Sequence, residues 1–406
     1  VPTPKKLVRL LKNYCWHFPK SLIAAVLLPI PKSLTLIGVT GTDGKTTTCT
    51  LIHQVLTSAG FRTGLISTIT SPGLHTTSPD PFEIRKYLHK IHAGGCTHCV
   101  CEVTSHALDQ FRYWGCHFSV SVITNISHEH LDYHATLSDY LLAKSKIFLQ
   151  SDSVVLNRDD PSFSFFSTKS PRPITTYGIK NKSDFQAKIT SFSSKGIVFS
   201  VNGQSASTDS PYLYQLENIL AALAATTLLQ IDSKYLFQTI RHFPATPGRR
   251  QEIKNRLKIK TIIDFAHTPN GLKATLSSLK KTISGRLIVI FGATGGRDQT
   301  KRPIMGRVVS QLADIAVITA DDTRHEKIED INRQIIAGID QKNKNLTYYD
   351  IPNRQDAFNL AIKLARPGDT VIACGKGHET TILHGSTEYP WSEAEAFRTA
   401  FRLRKN

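Results

Sequence analysis

Several things are scarce in this sequence, and each scarcity removes a class of protein. No apolar stretch reaches the roughly 18 residues that a membrane-crossing helix needs, so no such helix is expected. The 50 Lys and Arg against 32 Asp and Glu give a net charge of +18, yet no run of five or more cations occurs. No nucleic-acid-reading motif accompanies those cations, so attraction of polyanionic small substrates is expected and nucleic acid is not. No internal repeat and no low-complexity tract stands out. The seven cysteines are an odd number, which points to free thiols in a reducing cytoplasm. The cluster Cys96-Thr97-His98-Cys99-Val100-Cys101 invites a zinc reading, but a second Cys or His pair at suitable spacing is missing. Buried thiols on a strand are the expectation there.

What is present describes an ordinary soluble globular protein. Hydrophobic residues make up 40% of the 406 and charged residues 20%. From Leu34 onward, strand-like apolar runs alternate with helical segments, as at Thr97 to Val103, Val120 to Thr124 and Ser153 to Leu156. That pattern predicts an α/β fold with a mostly parallel sheet. Residues 165–210 are rich in Ser, Thr, Lys and Gly and are expected to form antiparallel strands. A helix is expected over Tyr214 to Leu229, and Pro244 to Gly248 reads as a linker. A second α/β series follows at Thr261 to Phe265, Arg286 to Phe291, Ile315 to Thr319 and Thr370 to Ala373, predicting a Rossmann-like C-terminal domain. The expected division is a short basic and apolar segment (1–33), a central P-loop ATPase domain (34–245) and the C-terminal domain (246–406). Ser21 to Ile30 is apolar and follows Lys5, Lys6, Arg9 and Lys12. It reads either as a short helix packed on the first domain or as a weak membrane association through residues 5–30.

The chemistry begins at Gly38-Val39-Thr40-Gly41-Thr42-Asp43-Gly44-Lys45-Thr46-Thr47-Thr48. A strand, a Gly-rich turn, Lys-Thr and then a helix make a phosphate cradle. The glycines let backbone N–H groups approach phosphate oxygens, Lys45 adds a full positive charge, and Thr46 offers a hydroxyl to Mg²⁺. The nucleotide expected is ATP. Val39 stands where the common pattern has glycine, so the loop is a variant. Glu102 ends an apolar strand, where open α/β sheets place their ligand crevice, and could face Thr46 across a metal. His130 and His134 are spaced as helical metal pairs are, but His-Leu-Asp-Tyr-His lacks the zinc-peptidase order. Gly292 to Asp298 and Gly375 to Glu379 are further glycine-bearing turns after strands.

Taken together, GVTGTDGKTTT, CEVTSHALDQFR, TNISHEHLDYHATLSDYLLAKSKIF, DFAHTPNGL, FGATGGRDQTKRPIMG and GKGHE resemble, in order, the motifs of the Mur ligases, most closely the MurE type. The resemblance implies ATP-dependent amide-bond formation in peptidoglycan synthesis. A substrate carboxylate becomes an acyl phosphate, and an amino acid, diaminopimelate or L-lysine, displaces the phosphate. It implies nucleotide contacts at Gly41, Thr42, Asp43, Gly44, Lys45, Thr46, Thr47, Asn218, Arg249, Asp264 and His267. It implies metal contacts at Thr46, Glu102, His130 and Lys144, the last as a carbamate, with Lys45, Glu102, His130 and Lys144 forming the catalytic group. For the nucleotide-sugar peptide it implies Thr76, Thr77, Thr104, Gln110 and Arg112. For the incoming amino acid it implies Arg297, Asp321, Arg324, Gly375 and Glu379. Asp43 replaces a usual Asn, and Asp321-Asp322-Thr323-Arg324 departs from the Asp-Asn-Pro-Arg of diaminopimelate-adding members. Arg324 favours the second carboxylate of diaminopimelate. Only a short stretch precedes the first strand, so the family's N-terminal uridine-binding domain is expected to be missing. That leaves a MurT-like ligase for a lipid-linked precursor, or a folate ligase, as the alternative. A cytoplasmic monomer is expected.

Overall fold

The computed structural model describes residues 4–68, 78–127, 129–193, 196–241, 248–340, 343 and 345–405. They fall into two compact units, one of residues 1–127 and 133–243, the other of 128–132 and 244–406. The expected linker at Pro244 to Gly248 lies outside the described residues except for Gly248.

The first unit is built on a seven-stranded sheet. Its spatial order is Thr63–Ile66, His98–Glu102, Thr35–Thr40, Phe118–Ile123, Ser151–Asn157, Ile174–Gly178 and Phe185–Gln186, and every pairing is parallel. Strands buried on both faces read as unbroken apolar runs, which is why Leu34 to Val39 shows no alternation. Side chains nevertheless alternate between two cores. Ile37, Val39 and Val100 pack under the helices Lys45–Ser58 and Leu213–Leu228, whereas Leu36, Cys99 and Cys101 face the helix Pro81–Ala93. The helix Leu213–Leu228 is apolar on nearly every side because it is buried along most of its length. The thiols of Cys99 and Cys101 lie 3.9 Å apart inside the second core.

Residues 165–210 differ in part from the antiparallel expectation. Ile174–Gly178 and Phe185–Gln186 extend the parallel sheet, and only Lys188–Ser193, Gly196–Val201 and Gln204–Thr208 form a separate antiparallel sheet. Composition could not separate the two, because edge strands of both kinds are polar and short.

The second unit has a six-stranded sheet ordered Arg249–Glu252, Lys260–Asp264, Thr370–Cys374, Leu287–Phe291, Ile315–Ile318 and Thr347–Asp350. All pairings are parallel except that of Arg249–Glu252, an antiparallel edge strand that polar composition had hidden. Helices flank it, with apolar cores on its two faces, and a small hairpin, Thr381–His384 with Thr387–Pro390, follows the strand Thr370–Cys374.

Candidate active site

In the first unit the register sets the site. Val39 pairs with Glu102, and Thr40 pairs with Ile123. Three adjacent parallel strands therefore end together, which brings Glu102, the glycine loop and Thr124-Asn125 to one crevice.

The loop runs from Gly41 to the helix that starts at Lys45. Gly44 adopts φ +81, and a Cβ there would meet Asn218 Oδ1 at 2.3 Å. Gly41, at φ +145, would bring a Cβ to 1.8 Å from Thr124 Oγ1. Both positions demand glycine. The helix N-terminus carries no side-chain cap at Gly44, so its first N–H groups remain available to an anion. Lys45 Nζ lies over the loop and donates to the Thr42 carbonyl at 2.8 Å. Asn125 holds the loop from outside: its Oδ1 accepts from Asp43 N at 3.0 Å, and its Nδ2 donates to Asp43 O at 2.9 Å. Thr124 Oγ1 donates to the same carbonyl at 2.7 Å. Thr42 Oγ1 meets the Tyr140 hydroxyl at 3.0 Å and accepts from Ser127 N. Asp43 thus uses its backbone in the loop, so the Asn-to-Asp departure leaves that scaffold unaffected.

Thr46 Oγ1 lies 3.2 and 3.1 Å from the two oxygens of Glu102, and both residues are buried. Thr68 adds its backbone N–H at 3.3 Å and its hydroxyl at 3.2 Å to Glu102 Oε2. Among the described residues no three His, Cys, Asp or Glu side chains converge as a metal cage. One carboxylate and two hydroxyls are hard oxygen donors of the kind Mg²⁺ takes when phosphate oxygens and water complete its shell. The residues fit that ion.

Lys144, on the helix Leu137–Ser145, is buried, and its Nζ donates to Gly41 O at 2.7 Å and to Thr40 Oγ1 at 3.4 Å. It also sits 4.7 Å from the Tyr140 ring centroid. These are the contacts of an ammonium at the base of the loop. Thr47 is buried on the helix behind Thr46. Asn218 Oδ1 accepts from Thr48 at 3.4 Å beside Gly44.

His130 and His134 do not form a helical metal pair. The helix is only Leu131–His134, and His130 precedes it with φ +59. His134 is buried with Nε2 2.9 Å from Ser105 Oγ. Burial and the neighbouring His106 lower its pKa to about 3, so it stays neutral.

Thr76 and Thr77 lie outside the described residues. Thr104 caps the helix Ser105–Asp109, accepting from Ala107 N at 3.2 Å. Arg112 donates through Nε and Nη2 to Gln110 Oε1 at 3.0 and 2.7 Å, and through Nη1 to the Ser78 carbonyl. Gln110 in turn reaches the Tyr133 hydroxyl at 3.3 Å. These residues form one connected group after the strand that delivers Glu102.

In the second unit, Asp264 ends its strand and holds the local backbone, accepting from Ala266 N at 2.9 Å and Arg250 N at 3.0 Å. Arg249 stacks on the Phe265 ring at 4.5 Å. His267 Nδ1 meets the Phe265 carbonyl at 2.8 Å, and the His267 carbonyl accepts from Lys301 Nζ at 3.1 Å. Lys301 also pairs with Glu129 at 3.1 Å, both buried.

The loops after Leu287–Phe291, Ile315–Ile318 and Thr370–Cys374 bring Arg297, Asp321, Arg324, Gly375 and Glu379 to the carboxyl end of one sheet. A Cβ on Gly375, at φ +114, would meet Asp321 Oδ2 at 2.6 Å. Lys376, missed by motif reading, is the hub: its Nζ is 2.7 Å from Asp322 Oδ1 and 2.5 Å from Glu379 Oε2. Burial alone would lower its pKa, but Asp321, Glu379 and Asp322 more than offset that and raise it. Burial raises Glu379 to about 7, against the pull of Lys376. Arg297 faces Asp132 at 3.8 Å. Arg324 has φ +53 and bridges to His384 on the hairpin, which braces the Asp321–Arg324 loop from its far side. Arg354 was invisible as well: its guanidinium donates to the carbonyls of Ala320 at 2.8 Å and Cys374 at 3.0 Å, and to Glu393.

Comparison with known proteins adds an independent line. Residues 39–226 match the family model of the Mur ligase middle domain, and residues 248–377 match that of the Mur ligase glutamate ligase domain. The UDP-N-acetylmuramoyl-L-alanyl-D-glutamate–2,6-diaminopimelate ligase of Thermosynechococcus vestitus is 36% identical over 400 residues, covering 94% of this chain and 80% of that protein. The Gloeobacter violaceus protein of the same name is 37% identical over 391 residues, covering 92% and 78%. A solved structure of a ligase with that name superposes with a TM-score of 0.63 at 28% identity, covering 97% of this chain and 83% of its own. Folylpolyglutamate synthase of Mycobacterium tuberculosis shares the fold, with a TM-score of 0.70 at 18% identity and coverage of 97% and 98%. With both family domains matched in order and relatives this similar over most of its length, the chain belongs to the Mur ligase family.

Proposed function

We propose that the chain joins 2,6-diaminopimelate to UDP-N-acetylmuramoyl-L-alanyl-D-glutamate at the expense of ATP. The observation that carries the nucleotide half is the uncapped helix N-terminus at Gly44 beside the buried Thr46–Glu102 pair. The substrates follow from relatives of that name at 36 and 37% identity.

The chemical difficulty is to bring a carboxylate to a triphosphate, anion to anion. The loop answers it with N–H groups, the helix dipole and Lys45, which leaves Thr42 O for the phosphate oxygens. Thr46, Glu102 and Thr68 would hold Mg²⁺, which when bound neutralises phosphate charge and aligns the oxygens. Attack of the substrate carboxylate on the γ-phosphorus forms an acyl phosphate and releases ADP. The acceptor amine then adds to the acyl carbon, phosphate leaves, and the amine proton passes to solvent or base. Roles for His130 and for a carbamylated Lys144 rest on their motif.

The acceptor carries two carboxylates and two ammonium groups, and the second unit offers matching chemistry. Arg324 and Arg297 suit carboxylates, and Glu379 and Asp321 suit ammonium. Arg324 favours diaminopimelate over L-lysine, which lacks the distal carboxylate.

The test is phosphate release from ATP and Mg²⁺ with UDP-N-acetylmuramoyl-L-alanyl-D-glutamate and a panel of diaminopimelate, lysine and ornithine. Release dependent on diaminopimelate is expected. Release with none of the three would overturn the assignment.

A further inference from the structure

The helical segment at the start of the chain is built inside out. From Pro4 to Leu27 the backbone is helical, with a π-helical turn at Asn13–His17, and at about 1.5 Å per residue it extends roughly 36 Å. Four of its polar side chains, Lys6, Arg9, Asn13 and Lys20, face the rest of the first unit. Lys6 pairs with Asp139 at 2.7 Å, Arg9 with Asp109 at 3.5 Å, and Lys20 with Asp80 at 2.5 Å. Asn13, buried, donates to Asp109 Oδ2 at 2.8 Å, and Arg85 from below holds the Leu28 carbonyl at 2.9 Å.

With these polar groups turned inward, the apolar ones point to solvent. Val8 and Trp16 are 66% exposed, Val26 72% and Leu27 65%, with Leu11 and Ile23 also more than half exposed. A surface helix normally does the reverse. Single exposed apolar residues need no explanation, but a continuous stripe along one helical segment does. The ion pairs fix the orientation, so the helix cannot roll its apolar side under without breaking them.

The charge pattern argues for an anionic cover over the stripe. No Asp or Glu precedes Asp43 in the sequence. The carboxylates that meet the segment, Asp80, Asp109 and Asp139, all lie on its inner side and are already paired with its cations. Of the segment's other charges, Lys12 is exposed, as is Lys32 just beyond it. An apolar stripe with cations and an aromatic ring matches the boundary of an anionic bilayer, where the tryptophan sits at the headgroups and lysines reach the phosphates.

We propose that the outward face of Pro4–Leu27 docks on an anionic membrane surface, lying in the interface and not crossing it. The segment is too short of uninterrupted apolar residues to span. Docking is independent of the ligase reading, because it uses no residue of the loop or of the acceptor pocket.

The experiment is flotation of the full chain with vesicles of phosphatidylcholine, with and without about one-third phosphatidylglycerol. Flotation with the anionic vesicles, weakened by salt, is expected. Leu22→Glu with Val26→Glu should cut it by about tenfold or more while phosphate release in solution stays unchanged. Absence of flotation, or flotation that the double substitution leaves intact, overturns the proposal. So does concentration-dependent self-association without lipid that the same substitutions abolish, since the stripe would then be a protein interface. Loss of phosphate release in wild type would count against the ligase reading alone.

Discussion

The Thr46 hydroxyl stands within hydrogen-bond distance of both oxygens of Glu102, at 3.2 and 3.1 Å, across 56 residues of sequence. Burial makes this contact informative: among the described residues the carboxylate has two hydroxyls and an amide as hydrogen-bond partners and no full-charge partner. Glu102→Gln preserves size and hydrogen bonding and removes the charge. Phosphate release should fall by about 100-fold or more, with an unchanged unfolding midpoint. Raising Mg²⁺ should recover part of the loss. A fall in stability that tracks the fall in rate would make Glu102 structural.

Lys144 gives a sharper distinction. Its ammonium braces Gly41 O and faces the Tyr140 ring, an arrangement that favours a cation. A carbamate would reverse the sign of that charge. With ¹³C-bicarbonate, a carbamate resonance that disappears in Lys144→Ala is the expected outcome of the motif reading. Its absence at full activity would assign Lys144 to holding the loop as an ammonium.

How far these sites could be read beforehand depended on the kind of restraint. The glycine loop, Glu102 and the turn at Gly375 were legible because each follows an apolar strand, and strand ends are where an α/β sheet opens. Asn125 was not legible as a clamp on Asp43, because it acts on backbone atoms 82 positions away. Lys376 was not legible as a hub, because its partner Asp322 lies on another loop, 54 positions away. The i, i+4 spacing of the two histidines carries no helical geometry, because the helix is a single turn and His130 sits outside it. Residues 165–210 failed for a different reason, since polar edge strands carry no sign of which sheet they will join.

The proposed acceptor pocket predicts a pH dependence. Burial raises Glu379 to about 7, so its carboxylate is lost as pH falls through that value. On the proposed reading, an ammonium group of the amino acid then loses its partner. KM for the amino acid should rise by about tenfold per pH unit below about 7. Glu379→Gln should show a high KM that is flat across the same range. A wild-type KM that stays constant from about two pH units below that value to about one above it would remove Glu379 from ammonium binding.

Arg324 tests the choice of amino acid. Held at φ +53 and braced by the hairpin at His384, it presents a guanidinium that suits the distal carboxylate of diaminopimelate. A charge-assisted hydrogen bond contributes about 1.5–3 kcal/mol, or roughly 10- to 150-fold in affinity. Arg324→Ala should raise the diaminopimelate KM by that factor and change the L-lysine KM far less. Equal losses for both amino acids would place Arg324 on the shared carboxylate.

Arg354 is the structural counterpart of these binding residues. Its guanidinium is 1% exposed and pairs with the equally buried Glu393 at 2.6 Å. Two of its remaining donors bind Ala320 O and Cys374 O, the carbonyls immediately before Asp321 and Gly375. One side chain therefore ties together the two loops that carry the proposed acceptor residues. Arg354→Met should cost about 3–5 kcal/mol, because it leaves a buried carboxylate without its cation. Glu393, whose pKa burial already raises against the pull of Arg354, would take up a proton to relieve that loss. The added substitution Glu393→Gln should then recover much of the stability without restoring the loop tie. Denaturant unfolding measures the first effect, and the acceptor KM of the double variant measures the second. Recovered stability with a raised KM is expected; recovery of both would show that the loops keep their places without Arg354.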